Sequence, residues 1–205
     1  MDFKNMSKST IALLIAAGVI VIWAISAYNG LVKKDEAVIK AWATVETDYQ
    51  RRADLIPNLV EVVKGYASHE SETFKEVVEA RSKATAVQVN IEDVTEENMK
   101  KFQEYQKAQG DMTNALGKLL AITEAYPELK ANENFRELQK QLEGTENRIK
   151  ESRKAYNEAV KTYNESVRSF PTTILSSIFG FDRKVPFQAA EGADKAPDLK
   201  GAFDK

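Results

Sequence analysis

Residues 28–66 read YNGLVKKDEAVIKAWATVETDYQRRADLIPNLVEVVKGY, and within them Tyr28, Leu31, Asp35, Val38, Trp42, Val45, Tyr49, Arg52, Ile56, Leu59, Val63 and Tyr66 recur at alternating spacings of three and four. That period is the seam of an α-helix packed in a bundle; a strand would alternate in twos. The register passes through Pro57 without slipping, so the pattern predicts one helix with a kink at Pro57 rather than two helices and a turn. The amide missing at Pro57 frees the carbonyl of Ala53.

Upstream, no charged residue occurs between Lys8 and Lys33, and Ile11 to Tyr28 is nearly all Ile, Leu, Val, Ala and Trp. About 18 residues at 1.5 Å rise span roughly 27 Å, close to the hydrocarbon thickness of a bilayer. A cleaved secretory signal is the competing reading, with Lys4 and Lys8 as its positive region and Ala24-Ile25-Ser26 as a weak cleavage site. The apolar run exceeds a typical signal core, and Trp23 and Tyr28 stand where an interfacial aromatic belt would. Residues 10–28 are therefore predicted as a transmembrane helix behind a short tail, 1–9. Lys33, Lys34 and Lys40 outnumber Lys4 and Lys8, which tilts the positive-inside rule towards an outside N-terminus and a cytoplasmic main body.

Downstream, Ser68 is the expected N-cap of a second helix that buries Phe74, Val77, Val78 and the stem of Arg81 and ends near Ala86. Val87 to Thr95 is β-branched without a partner strand, a long connector closing on the capping-box spacing Asp93-Val94-Thr95-Glu96. A third helix carries Met99, Phe102, Tyr105, Gln109, Met112, Leu116, Leu119, Thr123 and Tyr126 until Pro127 closes it. A fourth starts near Asn132 and repeats the pattern at Phe135, Leu138, Leu142, Thr145, Ile149, Ser152, Tyr156, Val160, Tyr163, Val167 and Phe170, where Pro171 stops it.

Each apolar stripe must be buried against the others, so the predicted fold is all-α: a transmembrane helix continuing into an up-and-down antiparallel four-helix bundle over 29–170. Equal-length first and fourth helices place Arg52 opposite Glu146. A short apolar segment, 171–187, follows, either capping the base of the bundle or resting on lipid headgroups. From residue 188 to 205 Ala, Gly, Asp, Lys and Pro dominate, which predicts a disordered tail.

The composition narrows the chemistry. Lys+Arg 29 against Asp+Glu 31 gives a net charge of -2, so nothing draws the chain to a nucleic acid, and with Cys 0 there is no thiol nucleophile or thiolate metal site. His69-Glu70-Ser71-Glu72-Thr73 opens like a zinc-protease helix but has Thr where the second histidine must stand, and His69 is the single histidine of the chain. Gly117-Lys118 lies inside a helical period, where no phosphate-cradling loop forms. No Glu-x-x-His pair exists for a di-metal carboxylate site, and no nucleophile elbow for a serine triad. No catalytic residue, cofactor or metal is expected, and the chain is read as not an enzyme.

The informative polar residues are those on or beside the buried stripes: Asp35 and Arg52 on the first helix, with Glu146, Asn147, Arg153 and Asn157 on the fourth. A charge at a seam is costly unless paired, so these either fix helix register or face another subunit.

Several ordered blocks carry a family resemblance. They are Tyr28-Asn29-Gly30-Leu31-Val32, Arg52-Ala53-Asp54-Leu55-Ile56-Pro57-Asn58-Leu59-Val60, Tyr66-Ala67-Ser68-His69-Glu70, Tyr126-Pro127-Glu128-Leu129, Glu143-Gly144-Thr145-Glu146-Asn147-Arg148-Ile149 and Phe179-Gly180-Phe181. From about residue 10 to 187 the chain resembles the LemA family of bacterial proteins. The resemblance implies a helical bundle tethered to the bacterial cytoplasmic (inner) membrane as a single-pass protein, with no catalytic function established. The expected function is a membrane-anchored scaffold or adaptor that self-assembles or engages a membrane protein partner. The alternatives are a lipid-organising protein acting through Phe170 to Phe187, and an unrecognised enzyme. Membrane lipid is the expected partner of residues 10–28.

Overall fold

The computed structural model describes residues 8–91, 94–95 and 99–188; the predicted C-terminal tail apart from its first residue, Gln188, most of the N-terminal tail and part of the capping box at Asp93 to Glu96 lie outside them. The chain is all-α: α1 Lys8–Tyr66, α2 Ser71–Ala86, α3 Lys100–Ile122, a 3-10 turn Thr123–Ala125, α4 Pro127–Ala131, α5 Glu133–Arg168 and α6 Thr172–Phe179. Among the described residues no strand forms.

α1 is one helix of 59 residues that runs through Pro57. Its seam is buried at Leu31, Val38, Trp42, Val45, Tyr49, Arg52, Ile56, Leu59 and Val63, while Tyr28 and Tyr66 at its two ends are exposed. The proline is tolerated because the carbonyl it orphans finds another donor: Arg81 Nε on α2 donates to Ala53 O at 2.8 Å. Arg81→Ala should cost about 1.5–3 kcal/mol, the range for a hydrogen bond from a charged group. In a Pro57→Ala background, where an amide can again reach Ala53, the loss should shrink. Chemical denaturation of the four variants measures it; equal losses in both backgrounds would reject the account.

The second helix begins two residues later than expected, capped at Glu70 instead of Ser68. Glu70 N–H closes a tight turn on Ala67 O at 3.1 Å, so Ser68 and His69 fall inside the turn, and Glu70 holds the cap position without a side-chain cap. Val78 is exposed; the buried face is Phe74, Val77, Ala80 and Ala84. Pro127 opens α4 at its first turn instead of closing α3, which has already ended at Ile122. Asn132 caps α5 as its position predicts, accepting from Phe135 N at 2.9 Å. Beyond the start of α5, its stripe is buried from Leu142 to Val167, but Phe170 is 82% exposed.

α5 packs antiparallel along α1, and α2 pairs with α3. The helices bury two apolar clusters. The one distant from the apolar end of α1 joins Ile56, Leu59 and Val63 to α2, α3 and the start of α5, with Phe74, Met112, Leu116, Leu129 and Phe135. The proximal one is aromatic, with Trp42, Tyr49, Phe102, Tyr105, Tyr156 and Tyr163, and α2 contributes nothing to its buried residues. Its place is filled by chain outside the long helices: Val89, Ile91 and Val94 of the connector, and Val185 and Phe187 from beyond α6. An antiparallel bridge, Thr95 to Lys184, ties the two segments together. The four-helix cross-section is thus complete only in the distal half, and the segment 171–187, expected to cap the base of the bundle or to rest on lipid headgroups, supplies part of the core through Val185 and Phe187.

Candidate functional site

Arg52 stands between the two clusters. It is 1% exposed, and its guanidinium donates to Gln109 Oε1 at 2.8 Å, Gln109 O at 3.1 Å, Thr113 Oγ1 at 2.7 Å and Glu146 Oε1 at 2.9 Å. Its Nε has no hydrogen-bond partner, and its Cζ lies 5.0 Å from the centre of the Tyr49 ring. Gln109 is locked in turn by donating Nε2 to Ala84 O at 3.2 Å, so α1, α2, α3 and α5 all meet in one polar layer. A buried guanidinium is tolerable because four acceptors replace its water and one of them is a carboxylate. Glu146 keeps 38% of its side chain exposed, so the pair is sealed on the arginine side and wet on the other.

The remaining polar candidates serve the C-terminal strap, 181–188. Asn157 clamps Phe187 with both ends of its amide, Oδ1 accepting from Phe187 N at 2.8 Å and Nδ2 donating to Phe187 O at 3.2 Å. Asn164, two turns on, does the same to Lys184 at 2.9 and 2.8 Å. Two side chains seven residues apart on one helical face thereby imitate a neighbouring strand. Tyr156 donates to Val185 O at 2.8 Å, and burial pushes its phenol far up, so it remains a donor at any physiological pH. Arg153 lies half-buried over the Phe187 ring at 4.6 Å and donates to Gln188 O. Asp35 forms an ion pair with Lys184 at 3.6 Å. Asn147 is the exception: it is exposed and belongs to neither arrangement, because it stands one residue past Glu146 and the helix turns it to solvent.

Sequence reasoning missed Asn164, Lys184 and Phe187. The spacing of seven between Asn157 and Asn164 was a signal for a shared face, and Val185 with Phe187 has the period of two that marks extended chain.

An open cleft of about 490 Å³ beside the Arg52 layer is lined by Glu46, Tyr49, Tyr105 and Gln109, among others. Burial pushes the phenols of Tyr49 and Tyr105 up, and Arg153 and Arg52 offset it only partly at Tyr49. These are protonated donors, not bases. His69 lies exposed in the α1–α2 turn, and among the described residues no group of three His, Cys, Asp or Glu is arranged to hold a metal.

At the other end, the part of α1 before Leu31 is long and apolar enough to cross a membrane, with every large hydrophobic from Ile11 to Ile25 exposed. Its last aromatic, Tyr28, meets Phe179 at 4.9 Å and Phe181 at 5.6 Å, ring centre to ring centre.

A family model described as the LemA family matches residues 41–200, beginning inside α1 past the apolar segment. The chain is 28% identical to Magnetosome protein MamQ of Magnetospirillum gryphiswaldense over 211 residues, 93% of this chain and 77% of the relative. It is 26% identical over 181 residues to Magnetosome protein MamQ 2 and to Magnetosome protein MamQ 1 of Paramagnetospirillum magneticum, 82% of this chain and 66% of each relative.

Proposed function

The chain belongs to the LemA family, a membrane-associated helical protein within it, and on that premise we propose that it acts as a scaffold or adaptor fixed in the bacterial cytoplasmic membrane by residues 10–28. The observation that carries the reading is the continuity of α1: one unbroken helix is both the apolar anchor and the longest stave of the bundle. At 1.5 Å per residue, the stretch from Tyr28 to Tyr66 stands roughly 57 Å tall, with no hinge between lipid and the distal end. A rigid post of this kind holds a surface at a set height. The relatives' names assign them to the magnetosome and name no reaction, which suits a scaffold better than an enzyme.

Lys33, with Arg168 at the end of α5, adds positive charge at the anchor boundary, which supports a cytoplasmic main body under the positive-inside rule. Ala12 and Ala16, four residues apart and so on one exposed face of the anchor, are small residues that let a second anchor approach closely, and self-association is part of the proposal. Crosslinking in native membranes is the test, with a photoreactive residue introduced at exposed distal positions such as Glu128 or Lys140. Discrete products, either a dimer or one recurrent partner, are the expected outcome. Monomer alone at every position would reject the scaffold.

A further inference from the structure

We infer that α6 is a second membrane contact, an interfacial helix that lays Ile174 and Ile178 into the lipid headgroup and upper acyl region beside the anchor. The inference rests on the anchor reading above. Three observations lead to it. First, α6 lies level with lipid. The rings of Phe179 and Phe181 pack on Tyr28, which precedes the first charged residue, Lys33, by five positions, or about 7.5 Å along the helix. Its end is therefore on the membrane side of the charge boundary.

Second, α6 shows apolar side chains outward where a water-facing helix would show charge. Leu175 and Ser176 turn in, while Ile174 (52% exposed) and Ile178 (68%), one turn apart, share an outer face, and Phe170 just before the helix is the most exposed large apolar side chain described. No charge occurs between Arg168 and Asp182. An apolar face of this sort is a liability in water and an anchor at a bilayer surface.

Third, the serine hydroxyls of α6 are satisfied from within the protein. Ser177 Oγ, on the exposed side, donates to Thr173 O at 3.0 Å, and Ser176 Oγ donates to Val167 O at 2.9 Å. Gly180, at φ 72, turns the chain, and Phe181 N–H bonds back to Ser176 O at 2.9 Å, closing the last turn. The segment then climbs away from lipid towards Lys184 and Phe187. Low-dielectric surroundings demand this internal satisfaction.

The chain has no cysteine, so single introduced thiols report unambiguously. Full-length Ile174→Cys, Ile178→Cys, Leu13→Cys (in the anchor) and Asn134→Cys (distal end of the bundle) are labelled with an environment-sensitive fluorophore. They are reconstituted in phosphatidylcholine and phosphatidylglycerol vesicles with or without nitroxide lipids. All four positions are exposed, so the fold is undisturbed. The expected result is blue-shifted emission at positions 174 and 178, quenched by shallow nitroxide lipids about threefold more than at position 134. Water-like emission at both, with Leu13→Cys quenched, overturns the α6 contact and leaves the anchor standing. Blue-shifted but unquenched labels mean that protein, such as a second copy, covers the face, and also overturn it. An unquenched label at position 13 removes the anchor itself and this inference with it.

Discussion

Replacing Phe187 by alanine lowers the unfolding free energy by about 3–5 kcal/mol, as for a phenylalanine deleted from a packed core. Eighteen residues from the end of the sequence, an effect of that size is unexpected unless the strap is structural. Phe187 is 6% exposed and lies 5.8 Å from Trp42, 5.1 Å from Phe102 and 5.3 Å from Tyr156, centre to centre, in an aromatic cluster fed by three helices. Removing it leaves a ring-sized cavity that α2 does not approach. A chain stopped after Pro186 should lose at least as much, since the Asn157 clamp goes too. For a domain of this size each kcal/mol moves Tm by about 2–4 °C, so a fall of about 10 °C is expected. In a Trp23→Phe background, Trp42 emission should shift to the red as water enters. A loss below about 1 kcal/mol would mean that the strap lies on the bundle without belonging to its core.

The contrast between α5 and the strap shows what the amino-acid order reveals. A helix advertises its buried face within a few turns of itself, so Leu142, Ile149, Tyr156 and Tyr163 disclose their stripe with no knowledge of partners. The pairing of Arg52 with Glu146 is legible for the same reason: two long stripes laid antiparallel set which residues meet. Core segments outside the long helices disclose far less. Val89 and Ile91 alternate, as do Val185 and Phe187, but two such pairs are too short to distinguish a strand from a loop. Their partners are the side-chain amides of Asn157 and Asn164 as much as backbone. Helix starts fail similarly at Ser68, where a buried alanine and a tight turn decide the boundary and the apparent capping residue does not.

Arg52 is where stability and specificity come apart. Arg52→Ala should cost about 3–5 kcal/mol, because it removes the stem as well as the charge from a fully buried position. Arg52→Met keeps most of the volume. It orphans Gln109 Oε1, at about 1–3 kcal/mol, while Gln109 O still accepts from Thr113 Oγ1 and the half-exposed Glu146 returns to water. Methionine should therefore be the milder replacement. Glu146→Gln leaves the guanidinium with uncharged acceptors and an opening to solvent, so its cost falls below that of breaking a sealed pair. The cycle of Arg52→Met with Glu146→Gln should show a coupling of about 1–2 kcal/mol, and additive losses would mean the ion pair contributes nothing beyond its separate hydrogen bonds. Arg52→Met with Gln109→Leu goes further, making the layer between the two cores apolar. If the arginine is there to hold α1, α3 and α5 in one register, this variant should regain stability yet give broadened or doubled amide resonances, as helices slide between near-equivalent packings. A stable variant with one sharp set of resonances would show that the two apolar clusters fix the register by shape alone.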